Sequence, residues 1–267
     1  MKGYISLLRL RFMLLLQYRI AAFAGVCTQL LFGFVRVMVF IAFYQSTSKV
    51  QPISYEGTIT YIWLSQALLG LLPWNGDSEL QTMIRTGNVA YELCRPVDIY
   101  NLWFSRAVAQ RTAPTLLRAI PIFIVALLLL PGKYAMGYPH SCTSFLAWII
   151  SMFGALLLSC AITNIFNIVT LWTVAGDGIT RLLPAVIILF SGMIVPLPLF
   201  PQWMQGILKY LPFSGIVDIP ARFYSGHIQP SQIVSLFFIQ IIWTILLILM
   251  GKWLLSRKMK LIVVQGG

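Results

Sequence analysis

Long apolar runs separated by short polar breaks set the pattern of this chain. Six runs stand out, at residues 20–44, 55–73, 108–130, 145–172, 182–198 and 232–255. A helix needs roughly 20 apolar residues to cross about 30 Å of hydrocarbon, so the pattern predicts six transmembrane spans. The second run is short. The third is ambiguous at its start, where Arg111, Pro114 and Arg118 precede a clean apolar stretch. Residues 1–19 mix basic and apolar positions: helical spacing puts Lys2, Ser6, Arg9 and Gln17 on one face and Phe12, Tyr18 and many leucines elsewhere. That predicts an interfacial helix lying on an anionic leaflet. Arginines interrupt its apolar part and no small-residue cleavage site follows, so the start is expected to be retained rather than removed as a signal peptide. The segment 199–231 is too apolar for a free loop and too interrupted for a span. Pro196, Pro198, Pro201, Pro212 and Pro220 cut the chain there into short pieces, with helices expected at about 202–210 and 215–224. Trp203, Tyr210 and Tyr224 suit a re-entrant segment at the outer interface.

Composition sharpens this picture. Hydrophobic residues make up 59% and charged residues 10% of the 267 residues, with a mean hydropathy of +0.84. A soluble domain carries about 25% charged residues, so the fold class is an all-α integral membrane protein, with residues 1–267 forming a single transmembrane domain. The length leaves no room for a separate nucleotide-binding domain. The net charge of +12 comes from basic residues flanking the apolar runs, which argues against nucleic acid as a partner. With the N-terminus inside, fourteen of the nineteen basic residues fall in inner segments. Only Lys49, Lys133, Lys209 and Arg222 fall in outer loops. The positive-inside rule then places both termini in the cytoplasm.

Few residues invite chemistry. Gly132-Lys133 and Gly251-Lys252 lack the spacing and hydroxyl of a phosphate-binding loop. His140 and His227 stand alone, so no metal site and no enzymatic activity are expected of the chain itself. Cys27, Cys94, Cys142 and Cys160 read as small apolar residues. Charges within spans are expensive and face a cavity, a partner or the headgroups. Arg36, near the outer leaflet, is expected to snorkel outward or pair with another helix. Arg111 is expected to snorkel to the inner headgroups, and Arg118 to anchor there or line an inward vestibule. Asn164 and Asn167 are candidates for a pathway or for bonds between helices.

The exception to the apolar pattern is the segment 74–106, where charges of both signs gather. Gly87 permits a sharp turn and Arg95-Pro96 breaks a helix. Between them, residues 88–93 form a short helix that offers Val89, Tyr91, Glu92 and Leu93 to a partner. Taken alone, the segment also fits a solvated loop of mixed charge. Ile84-Arg85-Thr86-Gly87 followed by Leu93-Cys94-Arg95-Pro96-Val97-Asp98 resembles the I-R-x-G … L-L-R-P signature of ABC-2 type exporter permeases, with Cys94 where an aliphatic residue is common. The run from Pro196 to Trp203, then Leu211-Pro212-Phe213, is similar to the loop before the last span in that family. The resemblance implies a dimeric permease working with two copies of a separate ABC ATPase and with a second permease, identical or related. ATP and Mg would be bound by the ATPase, and no cofactor by this chain. Arg85, Gly87, Tyr91, Glu92, Leu93, Arg95, Pro96 and Asp98 would couple to the ATPase. Arg118, Asn164, Asn167, Pro196, Pro198, Pro201, Trp203, Pro212 and Phe213 would serve the pathway or its outer gate. It further implies export across a bacterial cytoplasmic (inner) membrane, with membrane lipid around the spans. The expected cargo is an amphipathic drug, toxic cation, peptide or lipid-like molecule. The alternatives are a non-transporting assembly or sensor subunit, and a secondary carrier, which would need carboxylates within its spans.

Overall fold

Four helices among the described residues are long and apolar enough to cross a membrane: Arg19–Ser46, Ile99–Leu129, Cys142–Thr173 and Pro230–Met259. The computed structural model describes residues 2–94, 96–173 and 177–260, and within them the chain is all-α with no strand. In chain order the helices are α1 (Lys2–Leu16), α2 (Arg19–Ser46), α3 (Tyr55–Ala67), α4 (Ser78–Arg85), α5 (Val89–Leu93), α6 (Ile99–Ile124), α7 (Cys142–Thr173), α8 (Asp177–Phe190), α9 (Gln202–Leu208), α10 (Asp218–Tyr224) and α11 (Ile233–Met259).

Two of the six expected spans are therefore short. α3 has 13 residues and α8 has 14, each about 20 Å at 1.5 Å per residue. The reason is clear for α3. Every residue from Thr58 to Ala67 is buried, so this helix has no lipid-facing side and tolerates Thr58, Thr60, Ser65 and Gln66 in its interior turns. It sits at the centre of the molecule, packed against α2, α6 and α10. Past Ala67 the chain tightens into a 3-10 turn, Leu69–Leu71, and then runs irregularly to Asp77.

The helix that carries the apolar run from 108 begins earlier, at Ile99. The Asp98 side chain accepts from the Asn101 backbone N–H at 2.8 Å and caps the helix. α6 then passes through Pro114 and Pro121 and ends in a π-turn, Val125–Leu129. Its N-terminal half is lined by α1, whose half-buried stripe Tyr4, Leu8, Arg11 and Leu15 lies along it. Ile5, Leu10 and Met13 remain exposed on the other side of α1.

The long helices bury their small and polar faces and expose their large apolar ones, as membrane helices do. α2 exposes Phe23, Leu31, Val35 and Val39 while burying Ala22, Val26, Gln29, Gly33 and Val37. α7 buries Ser151, Gly154, Ser159, Thr163, Asn164 and Asn167. Its partner α11 exposes Phe238, Ile242 and Leu249 and turns Gln240 inward. The Gln240 amide donates to the Ser151 carbonyl at 3.1 Å and to the Gly215 carbonyl at 2.7 Å. It thereby ties α11, α7 and the 196–231 segment together. Of the short helices in that segment, α10 is buried against α3 and α7, whereas α9 leaves Trp203 and Ile207 exposed.

The α2–α3 contact depends on a missing side chain. A Cβ on Gly33 would stand 2.6 Å from the fully buried Trp63 ring, which is held by its indole N–H bond to the Tyr134 carbonyl at 2.8 Å. Gly33→Ala is expected to destabilise the fold by about 1–3 kcal/mol through overpacking, measured as a lowered unfolding midpoint in detergent. Gly3→Ala, with open space around it, should leave the midpoint unchanged.

Candidate functional site: an elbow held by two buried arginines

The site is built where α3 gives out. Backbone from Leu71 to Asp77 leaves the 3-10 turn without a helical partner for its carbonyls, and an unpaired buried carbonyl costs about 1–3 kcal/mol. Side chains from α6 and α7 supply the missing donors. Arg111 donates from Nη1 to the Leu72 carbonyl at 2.9 Å, from Nη2 to the Asn75 carbonyl and to Asn75 Oδ1 at 3.2 Å, and from Nε to Thr163 Oγ1 at 3.0 Å. Ser159 Oγ donates to the Leu71 carbonyl, and Gln110 donates to the Gly76 carbonyl at 3.2 Å. Asn167 Oδ1 accepts the Asp77 N–H at 2.8 Å.

Asp77 is the turning point. Its Oδ1 accepts from the Glu79 and Leu80 N–H groups at 3.0 and 3.1 Å and caps α4. Its Oδ2 pairs with Arg106 Nε at 2.8 Å. Arg106, 3% exposed, also meets Glu92 Oε1 from Nη1 at 3.1 Å and approaches Glu79 Oε1 from Nη2 at 3.5 Å. The second Glu92 oxygen accepts the Trp103 indole N–H at 3.0 Å. Glu79 in turn takes both terminal nitrogens of Arg11 from α1, one at 2.6 Å. Tyr4 of α1 accepts the Asp98 N–H at 3.0 Å. The chain contains seven acids, and three of them converge on Arg106. One guanidinium thus joins the start of α4, the end of α5 and the body of α6, while α1 closes the cluster from outside. Hydrogen bonds from Arg11, helped by the nearby Arg106 charge, hold the Glu79 carboxyl below the usual carboxylate range.

Locally the elbow follows the sequence. α4 ends at Thr86, Gly87 takes φ 77°, and the chain reverses into α5. The reversal turns Tyr91 outward at 76% exposure, whereas Val89 and Glu92 turn inward and are buried. Arg85, Gly87, Pro96 and Asp98 are also exposed, and Leu93 closes α5. Arg95 lies outside the described residues.

Glu92 was expected to face a partner; the structure instead places it against Arg106 and Trp103. Arg111, expected in the headgroups, is turned inward because the broken end of α3 needs its five donors. Asn164 and Asn167 are fully buried and bond between segments, Asn164 Nδ2 donating to the Tyr100 carbonyl at 3.2 Å. Arg36 pairs with other elements, donating to Ser65 Oγ at 3.1 Å and to the Ile194 carbonyl at 2.8 Å. Arg118 packs over Gly25 of α2, where a Cβ would lie 2.7 Å from its guanidinium carbon.

The candidate gate residues lie at the opposite end of the molecule from the elbow. Pro196, Pro198 and Pro212 are buried, Phe213 is half-buried, and Pro201 and Trp203 are exposed. Beside them is a group the sequence reading passed over. Asp218, 2% exposed, accepts from Tyr61 Oη and from Arg222 Nη1, each at 3.1 Å. The i, i+4 spacing of Asp218 and Arg222 was the available signal. Asp77, Glu79 and Arg106 were likewise unassigned, because no short-range pattern pairs positions 29 residues apart.

A family model described as "ABC-2 family transporter protein" matches residues 30–265. No curated protein and no solved structure matches the chain.

Two outcomes test this architecture. Arg106→Met leaves the buried Glu92 and the half-buried Asp77 without their counter-charge, and breaking a buried pair costs about 3–5 kcal/mol. Amide hydrogen exchange across residues 77–92 is expected to accelerate strongly, with no such change in Arg9→Ala. The Arg11–Glu79 contact is expected to be acid-labile. A depressed carboxyl pKa contributes stability above the usual glutamate value of about 4.3, and that contribution fades as pH falls through the lower folded value. Spin labels at Ser6 and Thr82 should show a narrow distance distribution at pH 7 that broadens on acidification. In Glu79→Gln the distribution should be broad throughout.

Proposed function

The chain belongs to the ABC-2 family of transporter proteins, and we propose that it is the membrane-spanning permease subunit of an ATP-driven exporter. Members of this family work with an ABC ATPase. In this reading ATP and Mg bind to two copies of that partner, and this chain dimerises with itself or with a related permease. It crosses the bacterial cytoplasmic membrane six times, α3 and α8 serving as short spans inside the assembly, with both termini in the cytoplasm. The cargo is an amphipathic molecule.

The observation that carries the proposal is the construction of the elbow. An exposed knob, Tyr91, stands on a five-residue helix that is not free to move alone. Through Glu92, Arg106 and Trp103 it is fixed to α6, and through Asp77 and Arg111 to the end of α3. A push on the knob by a nucleotide-driven partner is therefore delivered to both helices. Glu92 acts in this reading as the link behind the contact surface, not as part of it. The residues 84–98 couple, with Tyr91 as the contact. A secondary carrier would use a titratable carboxylate inside the protein; the buried Asp218 is ion-paired with Arg222 in the same helix.

Tyr91→Ala removes the knob without touching the cluster behind it. A tyrosine at an interface centre is worth upwards of about 1.4 kcal/mol, or tenfold in affinity. Recovery of an ATPase subunit on the tagged chain is expected to fall about tenfold, with the unfolding midpoint unchanged. An ATPase that stays bound and equally substrate-stimulated in Tyr91→Ala overturns the coupling role. Absence of any copurifying ATPase with the native chain overturns the reading as a whole.

A further inference from the structure

A groove of about 290 Å³ lies between α2, the end of α3 and the end of α8, with Trp74 of the irregular stretch on its wall. Gln29, Arg36 and Gln66 line it among apolar walls that include Phe32, Trp74 and Ile188. Its polar groups are not used up by the fold. Gln29 is 3% exposed, yet neither its amide nitrogen nor its amide oxygen has a hydrogen-bond partner among the described residues. Arg36 spends its terminal nitrogens on Ser65 and Ile194 but its Nε has no partner. One helical turn below Gln29, Arg118 packs on Gly25, again with an unpartnered Nε. Gln29 and Arg36 are about 10 Å apart along α2 at 1.5 Å per residue. Among the described residues no acid lines the groove. Arg36 is also the sole charge between Ile20 and Ser46.

A guanidinium and an unsatisfied amide inside a membrane span mark a site, because buried polar groups are ordinarily paired. Donors without a nearby acid select an acceptor-rich, negatively charged group, and the apolar walls select a hydrocarbon chain attached to it. We propose that this groove binds an amphiphile with an anionic headgroup, a carboxylate or phosphate, whose head lies at Arg36 and Gln29 and whose chain runs along Phe32 and Ile188. The same chemistry serves an exported amphiphilic acid or the headgroup of a resident anionic lipid. The inference rests on the permease reading only where the occupant is cargo, and there it narrows that cargo away from organic cations. The binding itself does not require an ATPase.

Trp74 on the groove wall provides the readout. The purified chain in phosphatidylcholine nanodiscs is titrated with 9,10-dibromostearate, whose bromines quench tryptophan, and in parallel with the uncharged dibromostearyl alcohol. The carboxylate is expected to quench at concentrations at least tenfold below the alcohol, with the effect lost in Trp74→Phe. Arg36→Lys should retain this preference and Arg36→Gln should lose it. Gln29→Leu, which removes an unpaired amide at similar volume and should fold at least as well as the native chain, should weaken carboxylate binding severalfold. Discs containing phosphatidylglycerol separate the two sources: a site filled by resident lipid loses the dibromostearate signal there, and a cargo site keeps it. Equal quenching by acid and alcohol overturns the proposal, as does carboxylate binding unaltered in both Gln29→Leu and Arg36→Gln. Since no ATPase is present, these outcomes are independent of the Tyr91→Ala test.

Discussion

Irregular backbone inside a membrane protein exists only where something replaces the helical hydrogen bonds it gives up. Residues 71–77 are such a stretch, and the rest of the molecule is arranged to hold them. α6 places Arg106, Gln110 and Arg111 within six residues, so that three long donors reach the stretch from one side. α7 supplies Ser159, Thr163 and Asn167 at i, i+4 and i+8, a single helical face, from the other. Glycine completes the fit: a Cβ on Gly76 would stand 2.5 Å from Asn167 Oδ1, and one on Gly70 would collide with Thr115. The polar interior of α7 and the central place of α3 follow from that single requirement.

The charge arrangement has the same logic. A guanidinium withdrawn from water is tolerated when its donors are met and its charge is balanced. Arg106 meets Asp77 and Glu92 directly, and Glu79 is shared with Arg11. Arg111 has no carboxylate among its partners; it is satisfied by carbonyls and a hydroxyl. The two arginines therefore act differently. Arg106 assembles elements that carry opposite charge, and Arg111 completes a backbone. Substituting lysine would fail at both, because one ammonium lacks the planar set of five donors that reaches several acceptors at once.

Much of this fold was legible in the sequence, for identifiable reasons. Apolar runs reveal lipid-facing helices, and α2, α7 and α11 lie close to where the runs put them. Gly87 announces a turn through local chemistry and adopts it, whereas the cap at Asp98 went unread and the helix starts nine residues before the apolar run. What the sequence hid was direction. Hydropathy treats Arg111 as a charge near a membrane edge and cannot tell an arginine reaching outward to headgroups from one reaching inward to a carbonyl 39 residues earlier. The same blindness hid the inward turn of Glu92, since a five-residue helix has no periodicity from which to read a face. The full burial of α3 was hidden too, although its shortness was not, because a buried central helix and a lipid-exposed one share an apolar composition until the neighbours are known.

The two ends of α6 differ in stiffness, and this bears on how a displacement at the elbow would travel. Its first half is locked by Trp103, Arg106 and Arg111 to the elbow and by α1 along its side. Its second half contains Pro114 and Pro121, each removing one backbone hydrogen bond, and closes in the π-turn at Val125–Leu129. Thr112 and Thr115 return side-chain bonds to the Val108 and Arg111 carbonyls at 2.7 and 2.5 Å, which steadies the helix up to Pro114 and no further. Arg118 sits four residues past that proline, against Gly25 of α2 and one turn from Gln29. A tilt imposed at the elbow therefore bends α6 where it touches α2. In the permease reading, the Arg118–Gly25 contact beside the groove lies on the path by which a displacement of the elbow would reach α2.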